Sequence, residues 1–286
     1  MLRDNTTANQ DQIPKSWDDY DGLDYYYQYR PEYPPALAER LRVRLEGSTG
    51  GTVIDVGSGT GLFTHSVATA LGPGYHIMAL EPNEGMRRYA ASRTPPGMLI
   101  TYVDGIAENI PVADQSVQLL TAASAVYRFD RPVFYQEAER VLILGGVLAL
   151  IQYDPFDRGS PFNRDFLSTI ERSLPSDRRH WHSEQEGGYS ETDLSGEIKS
   201  RSAFRNVERE LFVHHEQIDL KTFMFRTLSF TMVQKAMQAT GRSQVMERLF
   251  DTFDRHADQN RLVAMPYEAE MITARRAIKD CSADDL

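Results

Sequence analysis

The stretch that decides the fold is Val53-Ile54-Asp55-Val56-Gly57-Ser58-Gly59-Thr60-Gly61. Its first four residues, apolar except for one acid, predict a buried β-strand, and glycines at alternate positions follow directly. Glycine permits positive φ angles and lets the backbone approach a ligand closely, so the stretch predicts a strand followed by a ligand-binding turn. The glycine spacing differs from the G-x-G-x-x-G pattern that binds the pyrophosphate of a dinucleotide.

Short apolar segments alternate with helical segments on the C-terminal side of this turn. Strands that alternate with helices form right-handed βαβ units, which predicts an α/β fold with a doubly wound, mostly parallel sheet. After the strand at 53–56, the predicted strands are 76–82, 98–105, 117–124 and 146–153, and the predicted helices are 63–71, 83–93 and 132–142. One or two late strands are expected at 207–220, and helices are expected after them.

Acidic residues follow the next two strands. Glu81 ends the second predicted strand, 20 residues after Gly61, a spacing that leaves room for one helix and one strand. A carboxylate at that position suits the two hydroxyls of a ribose, although a solvated turn residue is the alternative. The third strand leads into the turn 104–111. Ligands of doubly wound sheets bind outside the carboxyl ends of the strands, so these features together predict a nucleoside pocket.

Composition limits the classes of partner. The chain has 286 residues and a formal net charge of −10, which disfavours a nucleic-acid-binding surface. The lone cysteine, Cys281, makes no intramolecular disulfide, which favours a reducing, cytoplasmic location. The polar start and the absence of an apolar run of about 18 residues argue against a leader and against a membrane partner. We expect a monomer or a homodimer.

Four segments resemble the motifs of class I S-adenosylmethionine (SAM)-dependent methyltransferases: VIDVGSGTG, ALEPNEGM, DGIAENIP and AERVLILGGVLAL. Their spacing is similar to that of the branch with a methyltransferase type 11 domain, which includes ubiquinone/menaquinone and trans-aconitate methyltransferases. YYYQYRPEYP and MFRTLSF resemble flanking segments of that branch. The resemblance implies a Rossmann-like, seven-stranded sheet with a helical insertion or lid over the carboxyl edge of the strands. It also implies SAM as cofactor and transfer of its methyl group to an O, N or C centre of a small molecule in specialised metabolism.

The resemblance also assigns roles to residues. The glycines would lie close to the methionine part of SAM. Asp55 would hold the loop and the amino group of SAM, and Glu81 would bind the ribose. Ile106 and Ala107 would flank the adenine, and either Tyr29 or Arg30 would close over the carboxylate. The full set of expected cofactor residues is Tyr29, Arg30, Asp55, Gly57, Ser58, Gly59, Gly61, Glu81, Pro82, Met86, Gly105, Ile106, Ala107 and Ala123.

The chain departs from the family pattern in three places. Ser58 stands where cysteine is frequent, and Leu144 stands where proline precedes the glycine pair. Tyr127 and Arg128 stand where a His-Trp pair often follows the fourth strand, so a substrate role does not carry over at that position.

Methyl transfer from a sulfonium is an in-line displacement, so the protein mainly positions the nucleophile and removes a proton where one is lost. No metal-binding motif such as H-E-x-x-H is present, and no metal is expected. The candidates for direct roles are Glu171, His182, His214 and Tyr127, and each of them also suits a structural or solvated position. His180 and His215 are candidates of the same kind. The aromatic segment 25–29 predicts either a lid or helix packing. The aromatic segment 223–230 predicts either the wall of an apolar substrate pocket or ordinary core packing.

Three alternative functions are weighed against this one. An NAD-dependent oxidoreductase is disfavoured by the glycine spacing. A SAM-binding protein that catalyses a cyclisation, or serves as a scaffold, stays open. A nucleic-acid or protein methyltransferase is disfavoured by the acidity and by Ala122-Ala123-Ser124-Ala125, where an Asn/Asp-Pro-Pro-Tyr motif would stand. The expected division is a helical lid segment at 1–47, the SAM-binding core at 48–153, a substrate-side insertion with closing strands at 154–240 and C-terminal helices at 241–286.

Overall fold

A computed structural model describes residues 29–154, 159–174 and 192–278. Within these ranges seven strands form one sheet in the order β3-β2-β1-β4-β5-β7-β6. The first five strands run parallel, and β7 is antiparallel to both of its neighbours. The expected mostly parallel, doubly wound α/β sheet of seven strands is therefore confirmed. The strands are β1 (Gly51–Val56), β2 (Tyr75–Leu80), β3 (Ile100–Val103), β4 (Val117–Ala123), β5 (Leu142–Asp154), β6 (Phe204–Asp219) and β7 (Leu262–Arg276).

Helices cover both faces of the sheet. Successive strand residues point to opposite faces, so Val53 of β1 joins one apolar core while the adjacent Ile54 joins the other. The first core includes residues of helices α1 (Pro35–Arg44) and α2 (Leu62–Leu71). The second includes residues of α4 (Arg131–Val141) and α6 (Leu194–Lys199). Because both faces are buried, the parallel strands are almost continuously apolar. Helix α3 (Glu84–Arg93) connects β2 to β3.

A helical unit lies beyond the carboxyl end of β5. The pairing of β5 with β7 stops at Asp154 opposite Glu268, whereas β6 and β7 stay paired as far as Asp219 opposite Leu262. The two strands therefore project as a ribbon past the parallel part of the sheet. A third apolar core covers this ribbon and confirms the predicted insertion over the strand ends. Its helices are α5 (Pro161–Glu171), α7 (Leu220–Leu228), α8 (Thr231–Thr240) and α9 (Arg242–His256).

The expectation of C-terminal helices at 241–286 is wrong for most of the described part of that range. After α9 the chain forms β7, which fills the position between β5 and β6. The segment is rich in Glu, Ala and Met, which favour helices, but its burial alternates with the period of a strand. Pro266 lies in the ribbon, beyond the end of the pairing between β5 and β7. Its missing N–H therefore costs no hydrogen bond to β5.

A search of the described residues for a helix long and apolar enough to span a lipid bilayer finds none.

Candidate active site

The glycine turn after β1 takes the left-handed backbone that glycine allows. The φ angles are +68° at Gly57, +56° at Gly59 and +79° at Gly61. The backbone N–H groups of Gly57 and Ser58 both donate to the carbonyl oxygen of Leu80, at 2.8 and 2.9 Å. These bonds tie the turn to the carboxyl end of β2. The Ser58 hydroxyl is buried and has no hydrogen-bond partner among the described residues, which leaves it available to a ligand.

Two of the glycines are required by packing. A Cβ added to Gly57 would lie 2.6 Å from the Cβ of Ala125, which follows β4. A Cβ added to Gly61 would lie 2.9 Å from the hydroxyl oxygen of Tyr102 on β3. Both distances are shorter than real Cβ contacts, so these two positions bring the turn against the neighbouring strand ends.

Gly59 differs from the other two glycines because it faces open space. The nearest atom to an added Cβ is the sulfur of Met86, at 3.9 Å. The backbone N–H of Gly59 donates to Glu81 Oε2 at 2.9 Å, and the N–H of Asn83 donates to Glu81 Oε1 at 2.9 Å. Both carboxylate oxygens are therefore fixed beside the open space, and each keeps acceptor capacity for a ligand hydroxyl.

Burial and hydrogen bonding act in opposite directions on Glu81. The residue is 5% exposed, and burial raises the pKa of its carboxyl group, while the backbone bonds from Asn83 and Gly59 lower it. The Arg87 guanidinium adds a smaller lowering effect and donates to the Glu81 carbonyl oxygen at 2.6 Å. Arg87 also pairs with Asp104, which joins the ends of β2 and β3.

Asp55 is buried under the turn. Thr64 of α2 donates to Oδ2 at 2.6 Å, and Thr121 of β4 donates to Oδ1 at 2.8 Å. Burial raises its pKa to about 6 against the lowering effect of these two bonds, and the nearby charge of Glu81 adds to the rise. The predicted role in holding the loop therefore has a visible basis, since one carboxyl group joins β1, α2 and β4.

The third strand end supplies an apolar edge. Gly105 lies against the side chain of Leu80, whose nearest atoms would be 3.2 Å from an added Cβ. Ile106 is 41% exposed, while Ala107 is buried in the core on the α4 side of the sheet. The exposed isoleucine offers an apolar contact surface at this edge, and Ala107 packs in the core.

The fourth strand end meets the N-terminal segment. Ala123 is the last residue of β4 and pairs with Ile151 of β5. The next residue, Ser124, has φ +52°, and its hydroxyl accepts a hydrogen bond from the Tyr33 hydroxyl at 3.1 Å. The Tyr33 ring lies edge-on to Phe63 in the first turn of α2, with centroids 4.9 Å apart. Residues just before α1 thus reach the end of β4 beside the glycine turn.

The two flanking segments that resemble the family contact each other. Arg30 donates from Nε to the Ser229 hydroxyl at 2.8 Å and from Nη2 to the Ser229 carbonyl at 2.7 Å. Its guanidinium lies over the Phe230 ring, 4.9 Å from the centroid. The Tyr29 ring stacks on Phe225 at 4.8 Å. Contact of Tyr29 or Arg30 with a cofactor carboxylate stays a prediction.

The structure does not bring the catalytic candidates together. Tyr127 lies in a short 3-10 turn after β4 and packs against the core on the α4 side. His214 of β6 lies against the Tyr267 ring, with centroids 4.9 Å apart. Glu171 ends α5 in the helical unit. His182, His180 and residues 25–28 lie outside the described residues. His214 is half-buried and His215 is exposed, because successive side chains of a strand point to opposite faces.

The aromatic residues of α7 and the turn after it are core residues. Phe223 is fully buried and Phe230 is 5% exposed, both in the core of the helical unit, and Met224 and Phe225 pack against that core. Of the two interpretations of segment 223–230, ordinary packing agrees with these positions.

Sequence reasoning missed several residues that shape the site. The hydroxyls of Thr64 and Thr121 hold Asp55, Asn83 caps α3 through Met86 N, and Tyr33 bridges to the end of β4. Only Asn83 had a usable signal, because Asn before a helical segment is a typical N-cap. In the described ranges no group of three or more His, Cys, Asp or Glu residues is arranged to hold a metal ion.

Comparison with known proteins places the segment around the turn in a family. Residues 54–150 match the family model described as a methyltransferase domain. A malonyl-[acyl-carrier protein] O-methyltransferase of Methylococcus capsulatus is 36% identical over 110 residues, which are 37% of this chain and 39% of that protein. A demethylmenaquinone methyltransferase of Chlorobaculum tepidum is 29% identical over 155 residues, 54% and 59% of the two chains. The chain thus spans less than two thirds of the length of these curated relatives.

The fold extends the similarity over more of the chain. A protein of Anaeromyxobacter dehalogenans, described as a candidate type II methyltransferase, superimposes with a TM-score of 0.59 at 23% identity. The match covers 86% of this chain and 97% of that one. Residues 54–150 therefore match a methyltransferase domain, and the chain shares the fold of the Anaeromyxobacter protein.

Proposed function

We propose that the whole protein is a methyltransferase that moves the methyl group of SAM to an O, N or C centre of a small molecule. The observation that carries the proposal is the Glu81 carboxylate, fixed by the backbone N–H groups of Gly59 and Asn83 at the one turn glycine that faces open space. A ribose needs two acceptors at the end of the second strand, and both oxygens are held there. A dinucleotide site would instead offer N–H groups to a pyrophosphate.

The residues of the chain fit the rest of SAM. The N–H groups and the Ser58 hydroxyl of the turn suit its polar methionine part, and the exposed Ile106 suits the adenine. When bound, SAM supplies an electrophilic methyl group on a sulfonium. The protein then holds the acceptor in line with that group, so most of the rate enhancement comes from positioning.

The acceptor side is assigned to the helical unit. The unit lies beyond the carboxyl ends of the strands, where ligands of doubly wound sheets bind. Two relatives that match the core are named for different acceptors, a malonyl-[acyl-carrier protein] and a demethylmenaquinone. Their difference supports a shared cofactor core with an acceptor site set by the surrounding segments. A role in specialised metabolism and a cytoplasmic location, which the lone cysteine favours, belong to the same proposal.

Calorimetry with SAM, S-adenosylhomocysteine (SAH) and NAD tests the cofactor. We expect saturable binding of SAM and SAH at one site per chain and no binding of NAD. A folded protein that fails to bind SAM contradicts the proposal.

Methyl-labelled SAM tests the reaction. Incubation with an extract of small metabolites should transfer the label to the organic-soluble fraction. Label found only in protein or nucleic acid contradicts the small-molecule acceptor. SAM binding with no transfer to any fraction favours the non-methylating alternative.

A further inference from the structure

A groove in the helical unit is lined by three arginines. It lies between α5 and α9, has a volume of about 540 Å³ and shares no residue with the glycine-turn site. Its lining consists of Thr169, Arg172, Arg248, Asp251 and Arg255. Three guanidinium groups and one carboxylate give this lining a formal charge of +2, in a chain whose net charge is −10.

Buried hydroxyl groups lie beside two of the arginines. Arg248 donates to Ser173 Oγ at 2.8 Å, and Ser173 is fully buried. Arg172 reaches Thr169 Oγ1 at 3.5 Å, and Thr169 Oγ1 is 3.0 Å from Thr252 Oγ1. Thr169 and Thr252 are 3% and 0% exposed. Arg248 is thus held by a short bond to a buried hydroxyl, and Arg172 lies beside a second buried hydroxyl at a longer distance.

Arg255 lies beside the same hydroxyls. Its Nη2 lies 3.2 Å from Thr252 Oγ1 and 2.8 Å from Asp165 Oδ2. Asp165 also meets His256, so this carboxylate is shared between two basic side chains. Arg255 therefore enters the groove with its charge partly balanced.

The charges of Arg172 and Arg248 are not balanced by carboxylates. Among the described residues, neither arginine forms an ion pair, and their side-chain partners are neutral: the hydroxyls of Thr169 and Ser173 and the carboxamide oxygen of Gln244, which accepts from Arg248 at 3.2 Å. A guanidinium has five N–H donors, so each arginine keeps donors for a further acceptor. The planar fork of donors on a guanidinium matches the oxygens of a phosphate group and can bind two of them at once.

We propose that this groove binds the phosphate group of a small phosphate monoester. The two unbalanced arginines supply charge-assisted hydrogen bonds to the phosphate oxygens, and Arg255 adds a third cation at the same surface. The volume exceeds that of a phosphate alone, and Asp251 offers an acceptor to a hydroxyl group on the organic part. This site is separate from the SAM site, so its failure would leave the proposed function intact.

The test is calorimetry in a buffer of low chloride content, with inorganic phosphate, glycerol 3-phosphate and glycerol as probes. We expect saturable binding of both phosphates and none of glycerol. Tighter binding of glycerol 3-phosphate assigns a monoester. Binding of the two phosphates with equal affinity overturns the monoester assignment.

The double variant Arg172→Gln/Arg248→Gln should weaken phosphate binding by at least about tenfold, because two charge-assisted bonds are lost. Arg242→Gln is the matched control, since Arg242 is an exposed arginine of α9 outside the groove. Its affinity for phosphate should stay within about twofold of the wild type. Unchanged SAM binding and unfolding midpoint would show that the double variant is folded. Absence of saturable phosphate binding, or equal binding by the double variant, would overturn the proposal.

Discussion

Arg30 and Ser229 are joined by two hydrogen bonds across 199 residues of sequence. One bond goes to the hydroxyl and the other to the carbonyl oxygen, so the guanidinium fixes the N-terminal segment to the turn after α7. Arg226, three residues earlier, returns the contact by donating to the Tyr29 carbonyl oxygen at 2.7 Å. These three hydrogen bonds thus attach the segment before α1 to the helical unit.

A first prediction separates a cofactor role of Arg30 from a structural one. Arg30→Gln should weaken SAH binding by about 1.5–3 kcal/mol if the guanidinium reaches the cofactor carboxylate, because a charge-assisted bond is lost. 5′-Methylthioadenosine lacks that carboxylate, so its affinity should not change. Calorimetry with the two ligands measures the difference, and Ser229→Ala is the control that loosens the segment but keeps the arginine. Equal losses for both ligands would assign Arg30 to the fold alone.

A second prediction concerns the ribose. Glu81→Ala should weaken SAM binding by roughly 1–3 kcal/mol, since the acceptors for the ribose hydroxyls are removed. Glu84→Ala removes an exposed carboxylate three positions away and should leave the affinity unchanged. Wild-type affinity in a folded Glu81→Ala protein would refute the assignment.

A third prediction divides the glycines of the turn. Gly59→Ala should cost about 1 kcal/mol of unfolding free energy for the positive φ, yet reduce SAM affinity at least about tenfold, because the new Cβ enters the open space. Gly57→Ala should cost about 2–4 kcal/mol of unfolding free energy, because its Cβ would overlap that of Ala125. Urea unfolding and calorimetry give the two readings. Full SAM affinity in Gly59→Ala would mean that the open space is not the ligand's.

A fourth prediction uses the pKa of Asp55, which burial raises to about 6 from 3.8. The folded protein then binds a proton that the unfolded chain has released, so stability falls as pH rises from about 4 to about 6. The full effect is up to about 3 kcal/mol in the absence of ligand. The wild-type minus Asp55→Asn difference in unfolding free energy should show this slope, and a flat difference would contradict it.

A fifth prediction concerns the pair of Arg226 and Glu216, whose atoms lie 2.9 and 3.0 Å apart. Arg226 is 2% exposed, whereas the Glu216 side chain is 31% exposed. Glu216→Ala leaves a buried cation and should cost about 3–5 kcal/mol of unfolding free energy, while Arg226→Met should cost less. The double variant should recover part of the loss. Chemical denaturation measures all three, and Arg88→Met, from the exposed pair of Arg88 and Glu84, is the control.

The parts of the fold that the sequence predicted are those written in local patterns. The apolar strands, the alternating helices and the glycine turn each lie within a few residues, so periodicity identifies them. The strand at 262–276 was missed because its Glu, Ala and Met residues favour a helix, and only its place between β5 and β6 decides otherwise.

In the site, too, residues marked by the sequence around them were predicted, and contacts between residues far apart in the chain were not. Glu81 and the glycines follow strands directly and were found. Thr121 holds Asp55 from 66 positions away, and nothing in the chain around either residue marks them as partners. The acceptor side is least predictable, because it depends on how the helical unit packs.

The position of β7 also has a consequence for the order of assembly. The paired residues of β5 and β7 lie 114 to 128 positions apart in the chain, and within the sheet β6 pairs only with β7. During synthesis, β1 to β5 can associate early, but β5 keeps an unpaired edge until residue 276 has left the ribosome. Closure of that edge is then expected to be the slow step of folding and the period of greatest exposure to aggregation.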